Sequence, residues 1–262
     1  MQLKGKRVLI TGGTRGIGRC IVQEMIDGGV THLAIIARDK KKLKELSEAY
    51  PEVKFMRISG DVANIDVLRE AAARIEDKWG YLDILINNAG IVSAGPLEEL
   101  PDEEIYDQVA VNQTAILLLT KYCVPLLKSS EEGAILNISS GLGLIGMPFY
   151  AVYGSTKAAV KQFSDSMRRE LAPYNVSVTC SFPTATATDM MQKFDGMEMD
   201  SPEFVAKRSI EGLLNKELHV IFGGEQRIKD SEVNFMEPKK FDAKVAETYE
   251  DFKASSEGHK AL

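Results

Sequence analysis

The sequence predicts a doubly wound α/β fold of Rossmann type: one parallel, seven-stranded sheet with helices on both faces, in a single domain. Three observations predict it. Short β-branched runs alternate with longer amphipathic segments, the pattern of repeated strand–helix–strand units. The runs VLI, LAIIA, ILI and AILNI are apolar at successive positions, as strands covered on both faces must be. The first of them also passes directly into a glycine-rich turn and an apolar-periodic helix.

Taken in order, strands are expected at residues 7–10, 33–37, 53–58, 84–87, 134–138, 177–180 and 219–222. Helices are expected between them at 17–27, 40–49, 64–79, 102–127, 150–171 and 201–216. The fourth helix has a legible start, because Asp102 follows Pro101 and precedes the acidic pair Glu103 and Glu104, which suit the positive end of a helix dipole. No repeat, linker or low-complexity segment divides the chain. Residues 1–224 read as the dinucleotide-binding and catalytic unit, and 225–262 as a charged tail with scattered Phe, Val and Tyr. Composition leaves two readings of that tail, one wrapping a neighbouring subunit and one partly disordered.

At 262 residues and 44% apolar composition, the chain is long enough to bury a full core. Its net charge of −6 argues against nucleic acid, since a phosphate-backbone binder needs a basic surface. Cys20, Cys123 and Cys180 lie far apart in apolar stretches without metal-ligand spacing, which indicates buried thiols in a reducing compartment and no metal site. No apolar run approaches about twenty residues, so no membrane span is expected. MQLKGKRVLI reads as a polar lead into a strand rather than a signal peptide, which implies a cytoplasmic protein.

The turn TGGTRGIG places Gly12, Gly16 and Gly18 between a strand and a helix, with Thr14, Arg15 and Ile17 among them. Without side chains the backbone can turn tightly and approach a pyrophosphate, and the helix start offers it unpaired N–H groups. Downstream, Tyr153 and Lys157 are four apart at the head of a helix and therefore share a face. A free tyrosine has a pKa of about 10, so it serves as a base near neutrality only beside a cation.

These motifs, together with Asn87-Asn88-Ala89-Gly90, resemble those of the short-chain dehydrogenases/reductases from about Lys6 to Gly224. The resemblance implies an oxidoreductase that transfers hydride between a nicotinamide and a carbonyl or alcohol carbon. It implies Ser140, thirteen residues before Tyr153, as the donor that holds the substrate oxygen. Tyr153 is then the general acid and base, Lys157 the cation that binds the ribose hydroxyls, and Asn112 the holder of a proton-relaying water. Asp61 and Val62 match the adenine-contacting position, although Asp61 also reads as a loop residue capping the next helix. Asn88, Ala89 and Gly90 line the dinucleotide at the carboxyl edge of the sheet. Pro183, Thr186 and Thr188 match the carboxamide-contacting stretch, but Thr184 stands where relatives carry glycine.

Cofactor preference is read from the end of the second strand. Ala37 occupies the place of the acid that NAD-binding relatives carry, and Arg38 and Arg15 could clamp a 2′-phosphate. NADP(H) is therefore expected, with NAD(H) as the other reading because Arg38 also begins a charged helix face next to Asp39. Val92, Met147, Phe149, Met190, Met191 and Phe194 are candidates for an adaptable apolar pocket for a small lipophilic ketone or aldehyde, or for ordinary packing. Residues 189–201 read as a lid with Gly196 as hinge. Two other functions compete: an epimerase or dehydratase of the same family, disfavoured by chain length and glycine spacing, and a non-enzymatic NADPH sensor, disfavoured because all four catalytic positions are filled. Kinship implies a homodimer or homotetramer joined through the helices at 102–127 and 150–171.

Overall fold

The computed structural model describes residues 1–191 and 198–262. In chain order the elements are β1 (Arg7–Thr11), α1 (Gly16–Asp27), β2 (His32–Ala37), α2 (Lys40–Ala49), β3 (Lys54–Ser59), α3 (Ile65–Trp79), β4 (Ile84–Asn87) and β5 (Val92–Ser93). There follow α4 (Asp102–Val109), α5 (Ala115–Lys128), β6 (Gly133–Ile138), α6 (Ala151–Leu171), β7 (Val176–Phe182), α7 (Pro202–Leu214) and β8 (His219–Ile221). The chain closes with α8 (Gly224–Met236), α9 (Pro238–Ala246), α10 (Tyr249–Ser256) and β9 (Lys260–Ala261).

Among the described residues, a parallel seven-stranded sheet runs in the order β3-β2-β1-β4-β6-β7-β8. Both of its faces are dry. Leu9, Leu85, Ile135 and Val178 point to the layer that holds α3 and α5. Val8, Ile10, Leu33, Ile35 and Ile86 point to the layer of α1 and α7. The alternation of Val8, Leu9 and Ile10 between two cores explains why these strands read as continuously apolar. Strand order reverses between β1 and β4, which places the crevice at the carboxyl edge of these two strands.

Helix starts follow local capping chemistry. Asp39 accepts from the N–H groups of Lys41 and Lys42, Asn64 from that of Asp66, and Ser201 from that of Phe204. The helix expected at 102–127 is one continuous run, α4 and α5, interrupted by a π turn over Ala110–Thr114. By length and composition Asp102–Lys128 could cross a membrane. Its Ile116, Leu119, Cys123, Leu126 and Leu127 are instead buried in the protein, as in the core helix of a globular domain.

Residues 225–262 are ordered in a way that composition did not show. They form three helices and a strand that fold back on their own chain. Phe241 is buried, the Tyr249 ring lies 5.2 Å from that of Phe149, and β9 pairs antiparallel with β5 in the register Val92↔Ala261. A few apolar anchors and backbone pairing order a stretch whose charged composition hides them.

Candidate active site

The crevice is a cavity of about 760 Å³ at the carboxyl edge of the sheet. Its floor is the glycine turn. Gly12 and Gly16 hold φ of +70° and +51°, a region that disfavours side chains. A Cβ on Gly18 would lie 2.2 Å from the Gly12 carbonyl oxygen and 2.4 Å from Asn88 Nδ2, so glycine alone allows α1 to start this close to β1. Thr14, Arg15 and Ile17 line the same wall.

Two asparagines fix the opposite wall. Asn87 Nδ2 donates to Asn137 Oδ1 at 2.8 Å and to Thr120 Oγ1 at 3.2 Å, tying β4 to β6 and α5. Asn88 Nδ2 donates to the carbonyls of Thr11 and Gly12 at 3.0 and 3.2 Å. Thr11 Oγ1 in turn accepts from the N–H groups of Asn88 and Ala89, each at 3.0 Å. The two loops at the strand-order reversal are thus stitched together, with Asn88, Ala89 and Gly90 facing the cavity.

At the far end of the crevice, Arg38 lies 4.0 Å from Asp61 and donates to the Leu262 carbonyl oxygen at 3.2 Å. Asp61 Oδ1 accepts from Ala63 N–H, while Asn64 caps α3 itself. Asp61 and Val62 both reach the cavity wall. Asp39 spends its carboxylate on the start of α2, and those backbone donors hold its pKa below the usual carboxylate value.

At the near end, β6 and α6 bring Ser140, Tyr153 and Lys157 to one wall. Lys157 is buried, donates to the Ile138 carbonyl at 3.1 Å, and places Nζ 5.6 Å from the centroid of the Tyr153 ring. Burial lowers its pKa to about 8. Burial also raises that of Tyr153, which a hydrogen bond from Ser140 opposes. Ser140 Oγ further accepts from Leu142 N–H at 3.1 Å, which orients it at the head of its loop.

Asn112 sits in the π turn, behind the wall. Its Oδ1 accepts from Ile91 N–H and its Nδ2 donates to Ile91 O, both at 2.9 Å, with a second donation to Thr156 Oγ1 at 3.2 Å. A Cβ on Gly90 would lie 3.3 Å from Lys157 Nζ and 3.4 Å from Asn112 Oδ1. The lysine and the asparagine therefore converge on that glycine, and a side chain there would press on the lysine ammonium.

A family model described as short chain dehydrogenase matches residues 6–198. The chain belongs to the short chain dehydrogenase family. The protein is an oxidoreductase, 33% identical over 197 residues to a 3alpha-hydroxysteroid dehydrogenase of Mediterraneibacter gnavus, a match covering 73% of this chain and 78% of that one. A short chain dehydrogenase of Burkholderia cenocepacia, solved in complex with NADP, shares the fold with a TM-score of 0.82 at 24% identity, over 94% of this chain and 99% of that one. A 3-ketoacyl-(acyl-carrier-protein) reductase of Brucella melitensis, complexed with NADH, matches with a TM-score of 0.79 at 25% identity, over 86% and 100%.

The other expected residues divide. Pro183, Thr186, Thr188, Val92, Met190 and Met191 line the cavity. Thr188 also meets the glycine turn, its Cγ2 lying 3.2 Å from where a Cβ of Gly16 would be. Thr184 donates to Asp200 at 2.5 Å, and a short bridge pairs Thr186 with Asp200: Ala187 N–H donates to the Asp200 carbonyl and Asp200 N–H to that of Ala185. Met147 and Phe149 stand apart from the cavity wall, with the Phe149 ring on Tyr249. Phe194 and Gly196 lie outside the described residues.

Sequence reasoning missed Tyr150, Arg227, Phe252, Ser255 and His259, all of which line the cavity. Tyr150 is 2.9 Å from His259 Nδ1, and His259 Nε2 is 3.0 Å from the Met190 carbonyl. Only Tyr150 carried a usable signal, as an aromatic one turn before Tyr153. Among the described residues no cluster of His, Cys, Asp or Glu could hold a metal.

Proposed function

We propose that the protein is an NADP(H)-dependent carbonyl reductase or alcohol dehydrogenase acting on a small lipophilic ketone or aldehyde, with Tyr153 as proton donor and acceptor. The observation that carries this reading is the convergence of Ser140, Tyr153 and Lys157 on one wall of a crevice whose floor is a glycine-rich turn. Such a floor fits a pyrophosphate, and solved relatives hold NADP or NADH. When bound, the reduced dinucleotide supplies hydride to the carbonyl carbon.

The residues supply the proton and the alignment. Ser140 donates to the carbonyl oxygen, and Tyr153 transfers its phenolic proton to that oxygen as the carbon gains hydride, leaving an alcohol and a phenolate. Lys157 stabilises the phenolate, and Asn112 holds the Ile91 backbone that lines the site. Burial keeps the phenol protonated, which suits an acid and so the reductive direction. Replacing Tyr153 by Phe should lower kcat at least about a hundredfold while dinucleotide binding, read by fluorescence titration, is retained. Unchanged turnover would refute the assignment.

Preference for NADP(H) rests on Arg38 at the crevice end, on Ala37 in place of an acid, and on Asp39 being engaged as a helix cap. Arg38→Asp should reverse the ratio of kcat/KM for NADPH over NADH. Assembly as a homodimer or homotetramer is proposed through the long helix, whose Tyr106, Val109 and Leu117 are exposed.

A further inference from the structure

The cations on the cavity wall are not all explained by a dinucleotide. Arg15, Arg38 and Lys42 stand at the end proposed for its phosphates, Lys157 belongs to the proposed proton-transfer group, and Lys260 is paired with Glu104 at 2.6 Å. Arg227 is left over. It projects from the first turn of α8, where Gly223 and Gly224 hold φ of +86° and +64°. A Cβ on Gly223 would lie 3.3 Å from both Arg227 Cβ and Thr184 Cγ2, so that glycine lets the helix start close against the β7 loop.

The guanidinium then reaches over the residue next to Ser140. A Cβ on Gly141 would lie 3.5 Å from Arg227 Cζ and 3.6 Å from its Nη2. Among the described residues, no carboxylate forms an ion pair with it. Asp230, on whose pKa its charge acts, is taken by Lys244 at 2.8 and 3.0 Å. A half-buried guanidinium on a cavity wall, with no ion-paired acid among the described residues, is a receptor for a planar anion, because its fork matches a carboxylate bidentately.

We infer that Arg227 receives a carboxylate of the substrate, so that the substrate class is an oxo acid: a ketone or aldehyde carbonyl held at Ser140 and Tyr153, with a carboxylate reaching past Gly141. The inference rests on the carbonyl-reduction reading above and replaces its neutral lipophilic substrate by a carbonyl compound that ends in a carboxylate. Val92, Met190 and Phe252 on the same cavity wall would contact the carbon chain between the two polar ends. Met190 gives that wall an adaptable side chain.

The test uses full-length protein and NADPH oxidation with oxo acids of graded chain length, each paired with its methyl ester. The acid of at least one pair should exceed its ester in kcat/KM by about tenfold or more, and Arg227→Met should erase that preference while Arg227→Lys keeps part of it. Calorimetric titration of the NADP-complexed protein with chain-matched dicarboxylates, which cannot be reduced, supplies a readout independent of turnover. Binding should weaken about tenfold in Arg227→Met. Equal acid and ester rates, or dicarboxylate affinity insensitive to Arg227, would overturn the inference. Turnover retained by Tyr153→Phe would instead sink the underlying catalytic reading, so the two failures are distinguishable. A panel without turnover leaves the calorimetric result to decide.

Discussion

Lys157 is held in the folded protein at a cost its neighbours do not bear. Burial lowers its pKa from 10.5 to about 8, so between those values the unfolded chain binds more protons than the native one. Stability contributed by this position therefore rises with pH across that window, and below it the charged ammonium is buried at a penalty. Lys157→Met removes the dependence. Urea unfolding at pH of about 8 and about 10 should show the difference between variant and wild type shifting in favour of the wild type at the higher pH. A constant difference would mean that the ammonium is solvated in the native state. Gly18→Ala is the sharper backbone test, since its methyl would meet the Gly12 carbonyl and Asn88 amide well inside contact distance. Dinucleotide affinity should fall by at least about tenfold, with the melting temperature also lowered. Residues of this kind were legible because short, local spacing carries their chemistry. Thr11 opens the motif, yet its task, accepting from two N–H groups of the β4 loop, depends on a contact 77 residues away. His259 reaches Tyr150 across 109 residues, and no local pattern announces such a pair.

At the scale of elements, the seven strands and the six intervening helices were readable because sheet burial on both faces and helical periodicity are repetitive signals. The tail was not, because its order comes from isolated anchors spread among charges. Three of these are Phe241 in the core, Tyr249 on Phe149, and the β5–β9 pair. The π turn in the long helix was equally invisible, since one extra residue per turn leaves the apolar pattern almost unchanged. His259 locks the tail onto the site. The Met190 carbonyl can only accept, so Nε2 donates to it, and in the neutral ring Nδ1 accepts from the Tyr150 hydroxyl. His259→Ala strips both groups of that partner and should cost about 1–3 kcal/mol per group left unsatisfied. Hydrogen exchange should then quicken at Ala94, whose N–H donates to the His259 carbonyl, and along Val92–Ser93. Unaltered protection there would show that the strand pair holds without the imidazole.

For the whole molecule, the long helix presents a problem of two faces. Ile116, Leu119 and Cys123 are spent on the core, yet Tyr106 is 75% exposed, and Val109 and Leu117 also face outward. Scattered surface apolar groups need no explanation, but several on one helix make a surface that a second copy could cover. Area decides whether that is worth much. A standard interface buries about 800 Å² per partner, and apolar area contributes roughly 25 cal/mol per Å², so a few side chains anchor an interface only when the surrounding surface also packs. A charge within such a patch should therefore act far beyond its own contacts. Leu117→Glu is expected to leave the circular dichroism spectrum unchanged, because that side chain is not part of the core, and to move the mass measured by light scattering from a dimer or tetramer to a monomer. A wild-type protein that is monomeric at micromolar concentration would end the proposal. An oligomer indifferent to the glutamate would place the interface on another face.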